Sequence, residues 1–352
     1  MKRILVIGRA YPHAAHNYLN SEVDYLSSRA QVLVLSPNQP RAPFYSPVDF
    51  NYFDNVGELV ALARQFKPDF IISWLLPNHC YARQVADALD VPFVLKLHTP
   101  DRIIIDPARL PLKKRLATYL LSEQFVSRHY LVSSSSIRKT AASRNFKGVY
   151  CIPLLKEEIS RFFPPEKVFD LQSRLFFDRF HDESPNGDGV MVLGSLLDRR
   201  EGDAAFARII SAIKGPVDWY PMPTPGCLWI NLPNLPANLR VMKYVPPSEM
   251  PALYKKYKAL IQIGRGYYSR GISMSVIEAQ ASGVAVVAPS LRPDYDAWVE
   301  NGGGHVFHDE SEIPGILERI PDPAMRQKGF NSASQHDMAG VEMDLAQAGL
   351  VL

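Results

Sequence analysis

The sequence predicts an α/β protein with two successive doubly wound, Rossmann-like domains. Short apolar segments rich in β-branched residues alternate with segments of helical spacing along most of the chain. This alternation fades between about Leu154 and Gly189 and then resumes. The length of 352 residues also favours two separate cores. We therefore expect two parallel sheets that face each other, with ligands bound in the cleft between them, outside the carboxyl ends of the strands.

The first half opens with a βαβ unit. Leu19, Val23 and Leu26 are spaced as on one face of a helix, and apolar strands precede and follow them. Because alternating strands and helices produce parallel sheets, we predict one here. The predicted strands span 2–7, 31–36, 69–74, 92–97, 130–132 and 149–152, and the predicted helices span 18–28, 56–66, 82–89 and 112–125.

The second half repeats the pattern. Strands are predicted at 190–195, 217–220, 239–242, 259–263, 284–288 and 305–307, and helices at 204–213 and 248–256. The expected division is a first domain over 1–160, a linker over 161–188 and a second domain over 189–335. The remaining residues, 336–352, form a helical tail that can pack back on the first domain.

Charge and cysteine content exclude several classes of protein. The net charge of +3 is too small to argue for a nucleic-acid partner. Cys80, Cys151 and Cys227 are odd in number, widely separated and without zinc-site spacing, which favours a reducing compartment. The chain starts directly in a predicted strand, and no apolar run is long enough to span a bilayer. We expect a cytoplasmic protein.

The stretch from Gly264 to Ser290 is the strongest candidate for a binding site. A loop rich in glycine and tyrosine leads into a helix that begins at Met274 or Ser275, and Gly283 then ends this helix before a buried strand. A helix that opens from such a loop attracts anions, because its first N–H groups lack partners. Glu278, one turn in, could accept hydrogen bonds from a sugar diol. A second interpretation is a capping box between Ser275 and Glu278 that only stabilises the helix start.

Several motifs along the chain, in order and spacing, resemble one family of enzymes. Residues 276–290, VIEAQASGVAVVAPS, are similar to the motif E-A-x-A-x-G-x-P-V-V-A, with Ala285 where proline is usual. Further similar segments are 11–36, 68–74 followed by VPFVLKLHTPD, LVSSSSIRK at 131–139, 150–153, and NLRVMKYVPPSEMPALY at 238–254. The chain resembles the retaining nucleotide-sugar glycosyltransferases of the GT-B fold, in particular the group-1, or family 4, set.

The resemblance implies transfer of a sugar from a UDP- or GDP-linked donor to a glycan, lipid or small-molecule acceptor, with retention of configuration and without a metal ion. It implies that Glu278 binds the ribose hydroxyls and that His98 contacts the donor sugar near the transfer centre. Backbone that approaches the sugar and phosphates or holds the base is implied at Gly271, Ile272, Ser273, Tyr244 and Val245. The implied acceptor side comprises His13, Asn17 and Glu22.

The sequence departs from the family where the diphosphate should be held. Arg270 occupies the position of the first glutamate of the E-x7-E motif, and Ser195 and Glu201 occupy the positions of the usual arginine and lysine. Nearby arginines are candidates to replace that grip, since a guanidinium binds phosphate in a bidentate manner. These candidates are Arg199, Arg200, Arg265 and Arg270, each of which is equally compatible with a solvated surface arginine. We interpret Arg270 as a catalytic residue beside His98 and Glu278.

Two further patterns bear on partners. The basic amphipathic segment Arg109–Arg115 is compatible with peripheral contact to anionic lipid on the inner face of a membrane, and equally with a solvated helix start. Asp294 and Asp296 are spaced like a D-x-D metal site, but we interpret them as turn residues.

Two alternatives stay open at the level of sequence. One is a catalytically silent GT-B protein that binds a nucleotide, a sugar or a partner chain, which the missing phosphate ligands favour. The other is a different GT-B enzyme, such as a sugar-nucleotide epimerase. The sequence does not indicate the sugar, the base, the acceptor or the oligomeric state.

Overall fold

A computed structural model describes most of the chain as two compact units. It describes residues 1–13, 16–40, 46–97, 132, 134–194, 203–221, 235–263 and 273–352. The first unit contains the described residues of Met1–Gln172 together with Ala339–Leu352, and the second contains the described residues of 173–338.

Within the described residues, the first unit has a seven-stranded parallel sheet. Its strands are β1 (Arg3–Ile7), β2 (Gln31–Ser36), β3 (Asp49–Tyr52), β4 (Phe70–Trp74), β5 (Phe93–Leu97), β6 (Phe146–Cys151) and β7 (Val168–Asp170). They lie in the order β3-β2-β1-β4-β5-β6-β7. The strands β4 and β5 are buried along their whole length, as expected when helices cover both faces of a sheet.

Helices of the first unit pack apolar faces on this sheet. They are α1 (Asn17–Ser27), α2 (Val56–Phe66), α3 (His79–Leu89), α4 (Ser134–Ala141) and α5 (Lys156–Ile159). Helix α2 begins where the Asn55 side chain accepts a hydrogen bond from the Glu58 N–H, 2.9 Å away. It ends at Lys67, whose φ of +54° is left-handed. The sequence thus predicted the bounds of α2, Val56–Phe66, without error.

Strand β7 lies in the stretch 161–188, where the sequence predicted only a linker. It pairs with β6 through Val149 and Val168, and the Phe169 ring covers Gly148, where a Cβ atom would lie 2.4 Å from the ring. A strand of three residues is too short to show the period-2 alternation by which strands are recognised. The linker prediction is therefore corrected for these residues.

Within its described residues, the second unit has a six-stranded parallel sheet in the order β10-β9-β8-β11-β12-β13. Its strands are β8 (Gly189–Leu193), β9 (Val217–Tyr220), β10 (Leu239–Val241), β11 (Tyr257–Ile261), β12 (Ala285–Pro289) and β13 (His305–Phe307). Its helices are α6 (Phe177–Phe180), α7 (Asp203–Ser211), α8 (Met250–Tyr254), α9 (Met274–Ala281), α10 (Pro293–Asn301), α11 (Ile313–Glu318) and α12 (Pro323–Ser334).

The strand order reverses beside β1 and β4 in the first sheet and beside β8 and β11 in the second. Such reversals open a crevice outside the carboxyl ends of the strands, where doubly wound proteins bind their ligands. In each unit, the loops that follow these strands are therefore the places to look for function.

The last helix, α13 (Gly340–Gln347), belongs to the first unit. Its Glu342 carboxylate accepts hydrogen bonds from the Tyr25 hydroxyl at 2.9 Å and from Arg29 Nε at 2.6 Å. The Tyr150 hydroxyl donates to the carbonyl of Asp344. These contacts fasten the end of the chain to α1 and β6. None of the helices that the structure describes is long and apolar enough to cross a membrane.

Candidate functional site

Helix α9 starts at the carboxyl end of the second sheet and finishes at its amino end, because it connects the parallel strands β11 and β12. The sequence predicted this helix, and the prediction is confirmed over Met274–Ala281. Gly283 has a φ of +71°, and the Val284 N–H donates to the Ala279 carbonyl at 2.8 Å. This geometry is a Schellman C-cap, so the glycine ends the helix as expected.

The capping-box interpretation of the helix start is wrong. Ser275 lies inside the helix, and the N-cap residue is Ser273, whose side chain makes no cap hydrogen bond among the described residues. Glu278 instead accepts a hydrogen bond from the Tyr254 hydroxyl, with 3.0 Å between that oxygen and Oε2. The glutamate therefore belongs to a contact between α8 and α9.

Glu278 and Tyr254 form a buried polar pair. Glu278 is only 5% exposed, and Tyr254 is fully buried. The Tyr254 hydroxyl also lies 3.1 Å from the Ser275 carbonyl, so two acceptors share its one proton. Burial raises the pKa of Glu278 to about 7, while the hydrogen bond from Tyr254 lowers it in part. A carboxyl group that titrates near neutral pH at the carboxyl end of a doubly wound sheet is a candidate functional residue.

Replacing Tyr254 by phenylalanine is expected to raise the pKa of Glu278 further, because the variant removes a donor that favours the ionised carboxylate. Titration of the Glu278 carboxyl by carbon-13 NMR measures the change. Tyr295→Phe is the matched control, since Tyr295 is also a largely buried tyrosine of this unit. An unchanged Glu278 titration in Tyr254→Phe would show that the hydroxyl does not stabilise the carboxylate.

Backbone groups and an aromatic side chain lie at the carboxyl end of the second sheet, where α9 begins. Gly194 follows β8 with a φ of +102°, and its carbonyl accepts a hydrogen bond from Trp219 Nε1 at 2.9 Å. Tyr244 and Val245 follow β10, and Tyr244 is 40% exposed. Because parallel strands end at one edge, the structure brings Tyr244, Val245 and Ser273 to the edge at which α9 begins.

Several predicted site residues lie outside the described residues and stay predictions. They are His98, Arg199, Arg200, Arg265, Arg270, Gly271, Ile272 and the basic segment Arg109–Arg115.

The predicted acceptor residues lie in the first unit, after β1 and along α1. His13 and Asn17 are half-buried, whereas Glu22 is 6% exposed. Glu22 Oε2 lies 2.6 Å from Nζ of Lys96, which is itself 1% exposed. Burial raises the pKa of Glu22, and the neighbouring Lys96 ammonium lowers it in part. Glu22 is therefore one half of a buried ion pair, which fixes α1 to β5.

A row of aromatic rings near this pair was not found from the sequence. The ring centroids of His13 and His16 lie 5.0 Å apart, those of His16 and Tyr18 lie 5.9 Å apart, and those of Tyr18 and Trp74 lie 5.0 Å apart. Lys96 Nζ lies 5.4 Å from the Trp74 ring centroid. The histidines and Tyr18 are close in sequence, but only the fold brings Trp74 and Lys96 to them.

The pair Asp294 and Asp296 has no geometry of a metal site. Asp296 accepts hydrogen bonds from the Ser290 hydroxyl at 2.6 Å and from the Leu291 N–H at 2.9 Å, and Asp294 pairs with Arg292 at 2.7 Å. The part of the chain that the structure describes contains no group of three or more potential metal-ligating side chains. Asp294 and Asp296 lie in the first turn of α10 and stabilise its start, so their interpretation as turn residues is corrected.

No protein-family model matches the chain, and no curated protein matches its sequence. Solved structures match over nearly its whole length. The chain is similar to the Alr3699/HepE protein of Anabaena in complex with UDP, with a TM-score of 0.69, 14% identity and 99% of each chain covered. It is also similar to sucrose-phosphate synthase of Thermosynechococcus elongatus, with a TM-score of 0.65, 13% identity and 99% and 98% of the two chains covered.

A third similar structure is WaaG, a glycosyltransferase involved in lipopolysaccharide biosynthesis, with a TM-score of 0.62, 11% identity and 98% of each chain covered. The chain has the GT-B fold. The fold predicted from the sequence motifs is thus confirmed. Identities this low establish the fold and leave the chemistry to be argued from the residues of the site.

Proposed function

We propose that this protein is a retaining glycosyltransferase that moves a sugar from a nucleoside diphosphate donor to an acceptor. The observation that carries the proposal is the buried Glu278 carboxylate, which Tyr254 orients near the start of α9. The proposal is supported by the GT-B structures with which the chain shares its fold, one of which is in complex with UDP-glucose.

The donor would be held by groups of the second unit. An ionised carboxylate can accept about four hydrogen bonds, which is the chemistry that binding of ribose hydroxyls by Glu278 requires. The start of α9 presents the positive end of the helix dipole to a diphosphate. Tyr244 offers an exposed ring beside the base. We propose that Ser273 contributes backbone to the phosphate site, together with Gly271 and Ile272.

Catalysis by such a site would consist mainly of stabilising the charge that develops on the departing diphosphate. In this proposal His98 contacts the donor sugar near the transfer centre, and Arg270 supplies the positive charge that the missing arginine and lysine would otherwise provide. Arg199, Arg200 and Arg265 are further candidates for that grip. The acceptor enters near His13 and Asn17, and Lys96 and Glu22 position the surrounding elements.

The Arg270 role has a direct test. Arg270→Ala is expected to weaken UDP-glucose binding roughly tenfold to hundredfold, because a charge-assisted hydrogen bond to phosphate is worth about 1.5–3 kcal/mol. Isothermal titration calorimetry measures this. Arg64→Ala, at the end of α2 in the first unit, is the matched control. Equal affinities in Arg270→Ala and the unmodified protein would reject this role.

Affinity for the donor is expected to rise between pH 6 and pH 8. The pKa of Glu278 is raised to about 7, so the carboxylate, which is the stronger acceptor for ribose hydroxyls, dominates only above that pH. UDP-glucose is the appropriate probe, because its diphosphate does not titrate in this range. Glu278→Gln removes the titrating group and should show affinity independent of pH. A flat profile in the unmodified protein would contradict this assignment.

The activity itself is tested by incubating the full chain with UDP- and GDP-sugars, with and without a mixture of sugar and lipid acceptors. Release of nucleoside diphosphate together with a glycosylated product of retained configuration supports the proposal, and an added chelator should leave the rate unchanged. Release without a transferred sugar would favour hydrolysis or epimerisation. Binding without release would favour the catalytically silent alternative, which the lost phosphate ligands support.

A further inference from the structure

Two residues of the first unit have a positive φ that no helix end explains. They are Ala10, with a φ of +50°, and Leu75, with a φ of +71°. The other non-glycine residues with positive φ in the described part of the chain, Lys67 and Asp90, are the C-caps of α2 and α3. Ala10 follows β1 and Leu75 follows β4, the strands beside which the order of the first sheet reverses. Because such strain is retained mainly at functional sites, it indicates a binding site in this crevice.

The row of aromatic rings described above lies next to these residues in the chain. This aromatic row consists of His13, His16, Tyr18 and Trp74. Its first three members follow β1, and Trp74 directly precedes Leu75. Trp74 is 3% exposed, whereas the two histidines and Tyr18 are half-buried and keep part of their surface in contact with solvent. The row thus presents aromatic surface at the end of the sheet where doubly wound proteins bind ligands.

A buried ion pair holds the aromatic row in place. Lys96 Nζ lies 5.4 Å from the Trp74 ring centroid and 2.6 Å from Glu22 Oε2. Glu22 belongs to α1, the helix that also carries Tyr18, so the pair fixes the positions of Tyr18 and Trp74 relative to each other. A rigid surface loses little conformational entropy when a ligand binds, which favours binding.

The chemistry of the aromatic row favours an uncharged ligand with both an apolar face and polar groups. Lys96 is 1% exposed and paired with Glu22, so it is a poor partner for an anionic ligand. Burial lowers the pKa of His13, so its ring is neutral at neutral pH. Imidazole and phenol rings combine an apolar face with atoms that can form hydrogen bonds. A sugar ring has the matching character, because its C–H groups form an apolar face and its hydroxyl groups form a polar rim.

We propose that the aromatic row binds a ring of a neutral carbohydrate, which packs against Tyr18 and His16. This inference rests on the proposed function for one point only, that the bound carbohydrate is the acceptor of the transfer. It narrows the acceptor from a glycan, a lipid or a small molecule to a neutral glycan. Tyr18 is then a residue that determines acceptor specificity.

The test begins with an array of immobilised neutral glycans. Calorimetric titration of the full chain with the soluble form of the best-bound oligosaccharide follows, with and without saturating UDP. We expect one-to-one binding of a neutral glycan, and no binding under either condition would overturn the inference. UDP-glucose affinity is measured separately. A chain that binds UDP-glucose but no glycan contradicts only this inference, whereas a chain that binds a glycan but no nucleotide sugar contradicts only the proposed function.

Substitutions of Tyr18 locate the binding. Tyr18→Leu keeps an apolar side chain but removes the ring, and it is expected to weaken the glycan about tenfold, whereas Tyr18→Phe keeps the ring and should retain most of the affinity. Tyr52→Leu is the matched control, because Tyr52 of β3 is also half-buried and lies beside a ring, 5.8 Å from that of Phe50. Thermal unfolding checks that each variant is folded. Unchanged affinity in Tyr18→Leu, or equal losses in Tyr18→Phe or Tyr52→Leu, would reject the site.

Discussion

Glu278→Gln is expected to weaken binding of UDP-glucose at pH 8 by roughly tenfold to hundredfold, because hydrogen bonds to a charged group contribute about 1.5–3 kcal/mol. Glutamine keeps the size of the side chain and still accepts from Tyr254, so the packing of α8 against α9 should persist. Isothermal titration calorimetry at pH 8 measures the effect. Glu300→Gln, an exposed glutamate at the end of α10, serves as the matched control. Undiminished affinity in Glu278→Gln would show that the Glu278 carboxylate does not bind the donor.

The same substitution should stabilise the empty protein. The pKa of Glu278 is raised from 4.5 to about 7, so the folded protein holds a proton that the unfolded chain releases, and stability falls as the pH rises from 4.5 through 7. At pH 8 this penalty is of the order of 3 kcal/mol, from about 1.4 kcal/mol for each unit of pKa shift. Urea unfolding of Glu278→Gln should therefore show a gain at pH 8 that largely disappears near pH 4.5. A variant that is less stable at pH 8 would contradict the assignment.

Lys96→Met is expected to destabilise the first unit by about 3–5 kcal/mol, because it leaves the Glu22 carboxylate buried without its partner. The double variant Lys96→Met, Glu22→Gln should recover most of this loss, since no uncompensated charge then remains. Chemical denaturation of the single and double variants in a mutant cycle measures the coupling.

A second ion pair of the first unit provides the control for Lys96. Lys156 lies 2.9 Å from Asp170, and both side chains are more than 40% exposed. Exposed pairs contribute about 0–1 kcal/mol, so Lys156→Met should have a small effect. If Lys96→Met were as mild as Lys156→Met, or if the double variant recovered nothing, the Lys96 pair would not have the structural role described above.

The repeating strands and helices were predictable because each is encoded within a few residues. Helix α2 has its cap residue, its apolar spacing and its end within one short segment, and Gly283 ends α9 by a preference that glycine alone carries. The order of the motifs along the chain predicted the fold, which the structural comparison confirmed. Such local features need no knowledge of what lies opposite them.

The sequence could not show which side chains meet across the fold. Glu278 fits a capping box by its spacing from Ser275, but Tyr254, 24 positions earlier, is what its carboxylate contacts. In the sequence, Lys96 is a single charged residue in an apolar strand. In the structure, Glu22 of α1, 74 positions earlier, places Oε2 2.6 Å from Lys96 Nζ. Burial and partner identity, which decide the pKa of each group, depend on these distant contacts.

The Tyr254 hydroxyl has one proton and two acceptors, the Glu278 carboxylate and the Ser275 carbonyl in the first turn of α9. When Glu278 is ionised, the carboxylate is the better acceptor and attracts that proton away from the Ser275 carbonyl. When Glu278 is protonated, its carboxyl group and the Ser275 carbonyl are acceptors of more similar strength for the Tyr254 proton. A change of pH near neutrality therefore alters the charge of Glu278. It also alters which group accepts the Tyr254 proton, next to the proposed phosphate site. Ligand release would then be coupled to proton uptake at a helix end.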